Sequence, residues 1–100
     1  MNRVTVLYPN KLGARFDFDY YTSKHVPWVS GLVGQKIEVR KGISSPTGSS
    51  PAFVCVASIY ITSIEEFQAV FAQHGTEIMA DIPHYTNVEP IIQFDEVLVQ

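Results

Sequence analysis

The sequence predicts a ferredoxin-like plait, an α+β fold in the order β-α-β-β-α-β. Its four-stranded antiparallel sheet carries both helices on one face. Three observations point there. At 100 residues and 11.2 kDa the chain has room for one domain, residues 1–100, and one core. Apolar residues recur at helix spacing in two stretches and at strand spacing in four. The stretch 53–61 is apolar on both faces, yet the helices of such a plait cover only one. The other face is expected to be covered by a second copy, sheet against sheet, in a C2 homodimer.

Residues 3–8 alternate Val4, Val6 and Tyr8 against Thr5 and Leu7, and read as the first strand. Pro9, Asn10 and Gly13 end it. Residues 17–33 read as a helix capped by Asp17 or Asp19. Phe18, Tyr21, His25, Trp28 and Leu32 recur at spacings of three and four and share one helix face. Pro27 lacks an N–H and predicts a kink or restart, while Gly31 and Gly34 weaken and stop the helix. Residues 36–41 alternate charged and apolar, as an edge strand does. The Gly, Ser and Pro of 42–52 make a loop, and 53–61 is the central strand. Ser63 and Glu66 form a capping box at the head of a second helix, whose stripe is Ile64, Phe67, Val70 and Phe71. Gly75 is expected to stop it, with His74 beside the C-terminus, and a short turn through Ile78, Met79 and Ile82 follows. Residues 91–99 form the last strand.

Composition narrows the function. Net charge is −3, and of the seven basic residues only Arg40 and Lys41 are adjacent, so no nucleic-acid stripe is expected. No apolar run is long enough to span a bilayer, and no signal-peptide pattern opens the chain. The single cysteine, Cys55, fits a reducing, cytoplasmic compartment and sits in an apolar strand where thiols are inert. Charged residues are only 17 %, against about 25 % in typical domains, which fits a partly covered surface.

The segments Val6-Leu7-Tyr8-Pro9-Asn10, Phe16-Asp17-Phe18-Asp19-Tyr20-Tyr21, His25-Val26-Pro27 and Ile78-Met79-Ala80-Asp81-Ile82-Pro83 resemble the EthD family. These are small bacterial proteins named for ethyl tert-butyl ether degradation. The resemblance runs through nearly the whole chain in order. It implies a dimeric α/β-barrel and an association with oxidative degradation. After His25-Val26-Pro27 the family usually carries a small aliphatic residue; here it is Trp28.

The candidate site centres on His25, the one polar residue in its apolar stripe. Burial there keeps an imidazole neutral, as a general base requires. Tyr21, one turn earlier, reaches it as a second catalytic group. Phe18, Trp28 and Tyr8 are expected to line the pocket, with His84 and Tyr85 contributing from a loop. As a plain core residue, His25 would instead hydrogen-bond Tyr21, Asp17 or a backbone carbonyl. Asp17 itself reads as a cap. No metal-ligand spacing and no cofactor motif is present. Other dimeric α/β-barrel proteins bind haem through one His, an option left open by the sequence.

The expected function is a cofactor-free oxidoreductase, or an accessory factor, acting on a small apolar or aromatic molecule in a degradative pathway. A base can generate an enolate or phenolate that reacts with oxygen directly. The alternative is a non-catalytic dimer that binds a small molecule or a partner and supports a separate oxygenase, since no carboxylate pair and no activated Ser or Cys is evident. A pocket of about 300 Å³ or more would favour the enzyme.

Overall fold

The computed structural model covers residues 1–100. Its elements are β1 (Asn2–Pro9), α1 (Phe18–Tyr20), a π-helical turn (Tyr21–His25), α2 (Val26–Val33), β2 (Ile37–Lys41), β3 (Phe53–Ile61), α3 (Ile64–Asp81), a 3-10 turn (Ile82–His84) and β4 (Ile91–Glu96). The sheet order is β2-β3-β1-β4 with every pairing antiparallel, as the plait requires.

Register decides which residues meet the helices. Val4 pairs with Ile59 and Phe94, Val6 with Ala57 and Ile92, and Tyr8 with Cys55, so these line one face. Val4, Tyr8, Cys55, Ala57 and Ile59 are buried there. The other face carries Leu7 between Val56 and Ile91. Toward its far end that face turns polar: the Arg3 guanidinium lies 3.8 Å from the centre of the Tyr60 ring.

The expected restart near Pro27 is present, and it takes the form of the π turn, after which α2 begins with Pro27 in its first turn. Gly34 stops α2 in a left-handed conformation, φ 73°. Asp17 caps α1, accepting a hydrogen bond from the Tyr20 N–H at 3.1 Å. Of the capping box, the Ser63 half is formed, with Ser63 Oγ accepting from the Glu66 N–H at 3.1 Å.

Two expectations at the end of the chain are corrected. The second helix does not stop at Gly75 but continues to Asp81. Gly75 keeps ordinary helical φ, and positive values occur only at Gly13, Gly34 and Gly48. Its missing side chain is used for packing, since a Cβ there would lie 2.9 Å from a Phe71 ring carbon. His74 is therefore inside the helix, 3.8 Å from Glu77, rather than at its C-terminus. The last strand ends at Glu96, not at residue 99, because its partner β1 begins at Asn2, opposite Glu96.

Two loops are stitched together beside the core. Phe16 and Thr86 form an isolated bridge, and the Asp17 N–H donates to the Tyr85 carbonyl at 2.7 Å. This places Tyr85 against Tyr8 of β1 and against the first helical segment.

Candidate functional site

A small apolar cavity of about 60 Å³ lies between the sheet and the helices. Val6, Ala57 and Ile59 form its floor, Val29, Phe71 and Ile78 belong to the covering helices, and Ile82 follows α3. Four aromatic polar residues, Tyr8, Tyr21, His25 and Tyr85, interrupt this wall. All four are buried.

His25 ends the π turn, a device frequent at functional sites because it re-aims the side chains around it. Its Nδ1 lies 2.9 Å from Asp81 Oδ2. A carboxylate only accepts, so a neutral His25 carries its hydrogen on Nδ1 and leaves the Nε2 lone pair free. Nε2 lies 3.5 Å from the Tyr85 hydroxyl, a long contact, and that hydroxyl is 2.8 Å from the Tyr8 hydroxyl. On the far side of Asp81, Tyr20 donates its hydroxyl hydrogen to Oδ1 at 2.8 Å, and His84 Nδ1 stands 3.3 Å from the same oxygen. A continuous polar chain thus runs from Tyr8 through Tyr85, His25 and Asp81 to the surface.

Burial pulls the His25 pKa below 6.5; the Asp81 hydrogen bond and charge oppose this but do not overcome it. At Asp81, burial pushes the carboxyl up, yet hydrogen bonds from His25 and Tyr20, with the charges of His25 and His84, hold it below 3.8. At pH 7 the pair is therefore a neutral imidazole bonded to a carboxylate, not an ion pair. Burial pushes Tyr8, Tyr21 and Tyr85 up, so they serve as hydrogen-bond donors rather than phenolates. Cys55 is likewise pushed up, to about 12, which keeps the thiol protonated.

The structure thus gathers His25, Tyr21, Tyr8 and Tyr85 around one cavity. Tyr21 stacks on the His25 ring, with 5.5 Å between centres and 16° between planes. Phe18 and Trp28 lie outside the lining residues. Phe18 packs on Phe16 at 4.4 Å, and Trp28 meets His25 edge-on at 6.0 Å. The π turn changes the helical phase between Phe18 and Trp28, so a regular 3.6-residue stripe no longer holds. His84 is exposed and stacks on Tyr20 at 6.0 Å. It lines an open groove of about 820 Å³ that shares Met79, Ile82, Tyr85 and Pro90 with the cavity. The groove is the larger space, but His25 opens only onto the cavity.

Sequence reasoning missed Asp81 as the partner of His25; Tyr21, Asp17 and a backbone carbonyl were the expected ones. It also missed Tyr20. Asp81 stands 56 residues from His25 and only the fold joins them. The signal available was a carboxylate ending an apolar helix immediately before Ile82-Pro83. No group of three metal-ligating side chains converges anywhere. A haem does not fit beside His25, because the cavity is far smaller than the macrocycle and Nε2 faces Tyr85.

Residues 11–89 match the model of the EthD domain. The chain belongs to the EthD family. Among relatives of this EthD-family chain is an uncharacterised 11.0 kDa protein of Rhodococcus erythropolis from the thcB–thcC intergenic region. The two are 32 % identical over 89 residues, covering 87 % of this chain and 85 % of that one. The crystal structure of an EthD-like protein from Ralstonia eutropha JMP134 is 40 % identical with a TM-score of 0.92, over 99 % of this chain and 93 % of that one. An EthD-family protein from Bacillus halodurans C-125 shares the fold, with a TM-score of 0.69 and 20 % identity over 98 % and 99 % of the two chains.

Proposed function

We propose that this EthD-family chain binds a small apolar or aromatic molecule bearing a hydroxyl or carbonyl and moves a proton on it, as one step of oxidative degradation. The carrying observation is the 2.9 Å contact between His25 Nδ1 and Asp81, which leaves Nε2 as the base at the cavity. Asp81 orients His25 and stabilises the imidazolium formed when Nε2 takes the proton, the division of labour familiar from triads. An enolate or phenolate made this way is electron-rich enough to react with oxygen without a bound cofactor.

The test is deuterium incorporation from heavy water into the α-carbon of small aryl and cyclic ketones, followed by NMR, with oxygen uptake measured alongside. His25→Ala is expected to lower incorporation by about 10²–10⁴-fold. Unchanged incorporation in that variant would sink the assignment. A second reading, a binding module supporting a separate oxygenase, is favoured by the cavity volume, about 60 Å³ against the roughly 300 Å³ common for ligand pockets. It predicts ligand-induced shifts at His25 with no exchange at all.

We further propose that the chain works in the cytoplasm as a homodimer through its open sheet face. Leu7, Val56 and Ile91 share that face, and Ile91 is 54 % exposed. A mass of about 22.4 kDa, twice the 11.2 kDa chain, is expected from native mass spectrometry.

A further inference from the structure

Resting on the acid–base reading above, we propose that the natural ligand is electrically neutral and presents a single carbonyl or hydroxyl oxygen to Tyr85 Oη and His25 Nε2, and that carboxylic acids are excluded. The polar chain has one slack link. Its other contacts are 2.8 and 2.9 Å, whereas Tyr85 to His25 is 3.5 Å. Hydrogen counting marks the same place. Nδ1 spends the only hydrogen of neutral His25 on Asp81, so Nε2 seeks a donor. Tyr8 and Tyr85 bring one hydrogen each, and one satisfies their mutual bond. With Tyr8 donating to Tyr85, the Tyr85 hydrogen is left for the slack link toward Nε2, or for a ligand oxygen that enters there. A carbonyl accepts it; a ligand hydroxyl also gives its own hydrogen to Nε2.

Charge excludes an acid. Apart from Tyr8, Tyr21, His25 and Tyr85, the cavity wall is apolar, and it holds no Lys or Arg. Behind His25 stands the Asp81 carboxylate. An anion would lose its hydration, find no cation and face a like charge. Met79, at the partition with the outer groove and 39 % exposed, is the adaptable part of the wall through which a ring would enter.

The probes are phenol, acetophenone, toluene and benzoate at pH 7, titrated into the full chain while the His25 ring signals are followed by NMR. Phenol and toluene have nearly the same shape, and benzoate carries the charge. Phenol is expected to bind about fivefold tighter than toluene, one hydrogen bond's worth, and at least tenfold tighter than benzoate. In Tyr85→Phe phenol should keep its bond to Nε2 and its advantage over toluene, while acetophenone, which only accepts, should fall to within twofold of toluene. Tyr8→Phe, which leaves the Tyr85 hydroxyl free to donate, should bind both as the wild type does, and the wild-type comparison stands even if either variant fails to fold. Equal binding of phenol and toluene, or benzoate as tight as phenol, overturns the ligand class while leaving a His25 base acting on an apolar molecule. If none of the four probes moves the His25 signals, the ligand class falls together with the acid–base reading.

Discussion

At the scale of single residues, His25 and Asp81 make the sharpest predictions. The folded state lowers the His25 pKa below its ordinary 6.5. The unfolded chain therefore takes up the proton first as pH falls. Stability should decline from about pH 6.5 down to the lowered folded value, then stop declining on this account. Thermal melts across that range check the sign, and His25→Gln should remove that part of the slope. Activity should fall over the lower part of the same window, as the base becomes protonated. Asp81→Asn keeps the shape but no longer holds the Nδ1–H tautomer or stabilises imidazolium. It is expected to reduce exchange at least tenfold with little change in ligand affinity, a split that separates positioning from mere folding. His25, Tyr21, Tyr8 and Tyr85 were legible in the sequence because each interrupts or borders an apolar pattern. Asp81 was not, because a carboxylate at a helix end has an ordinary surface reading until the fold brings His25 to it.

At the scale of elements, turn and cap chemistry was legible and helix phase was not. Asp17, Gly34 and Ser63 act where their backbone roles place them. Gly75 misled, because a glycine inside a helix and one that ends it look alike in sequence; only the Phe71 ring lying on it tells them apart. The π turn had no distinct signature either. Its residues, Tyr21 to His25, extend the same apolar spacing that suggested an unbroken face. Gly42 offers an element-level test. A Cβ there would meet the Phe53 carbonyl oxygen at 2.1 Å, which is backbone and cannot swing aside. Gly42→Ala should separate β2 from β3 locally and cost about 1–3 kcal/mol, read as a drop in denaturant midpoint. Ser63→Ala, which removes one cap hydrogen bond, should cost about 1 kcal/mol.

At the scale of the whole molecule, the protein is a slab of 38 × 34 × 19 Å. One sheet and one helix layer account for that thickness. Its accessible surface is 6313 Å², against about 5,700 Å² for a compact monomer of this mass. Only 13 of 100 residues are buried, which leaves unusually little core for a free-standing chain. A second copy over the open sheet face, as proposed above, would add the residues of strand 53–61 that face away from the helices to this buried set. Val56→Lys on the open face should yield a folded monomer with a lower melting temperature. Sedimentation showing a dimer still intact would move the interface elsewhere.

Trp28 turns the site into its own reporter. It is the chain's single indole, held edge-on 6.0 Å from the His25 ring. An imidazolium quenches indole emission far more strongly than a neutral imidazole does. The fluorescence of the unmodified protein should therefore dim as His25 takes up its proton and recover when that proton leaves. Protonation of the buried base can then be followed in real time, without a label and before any substrate is known.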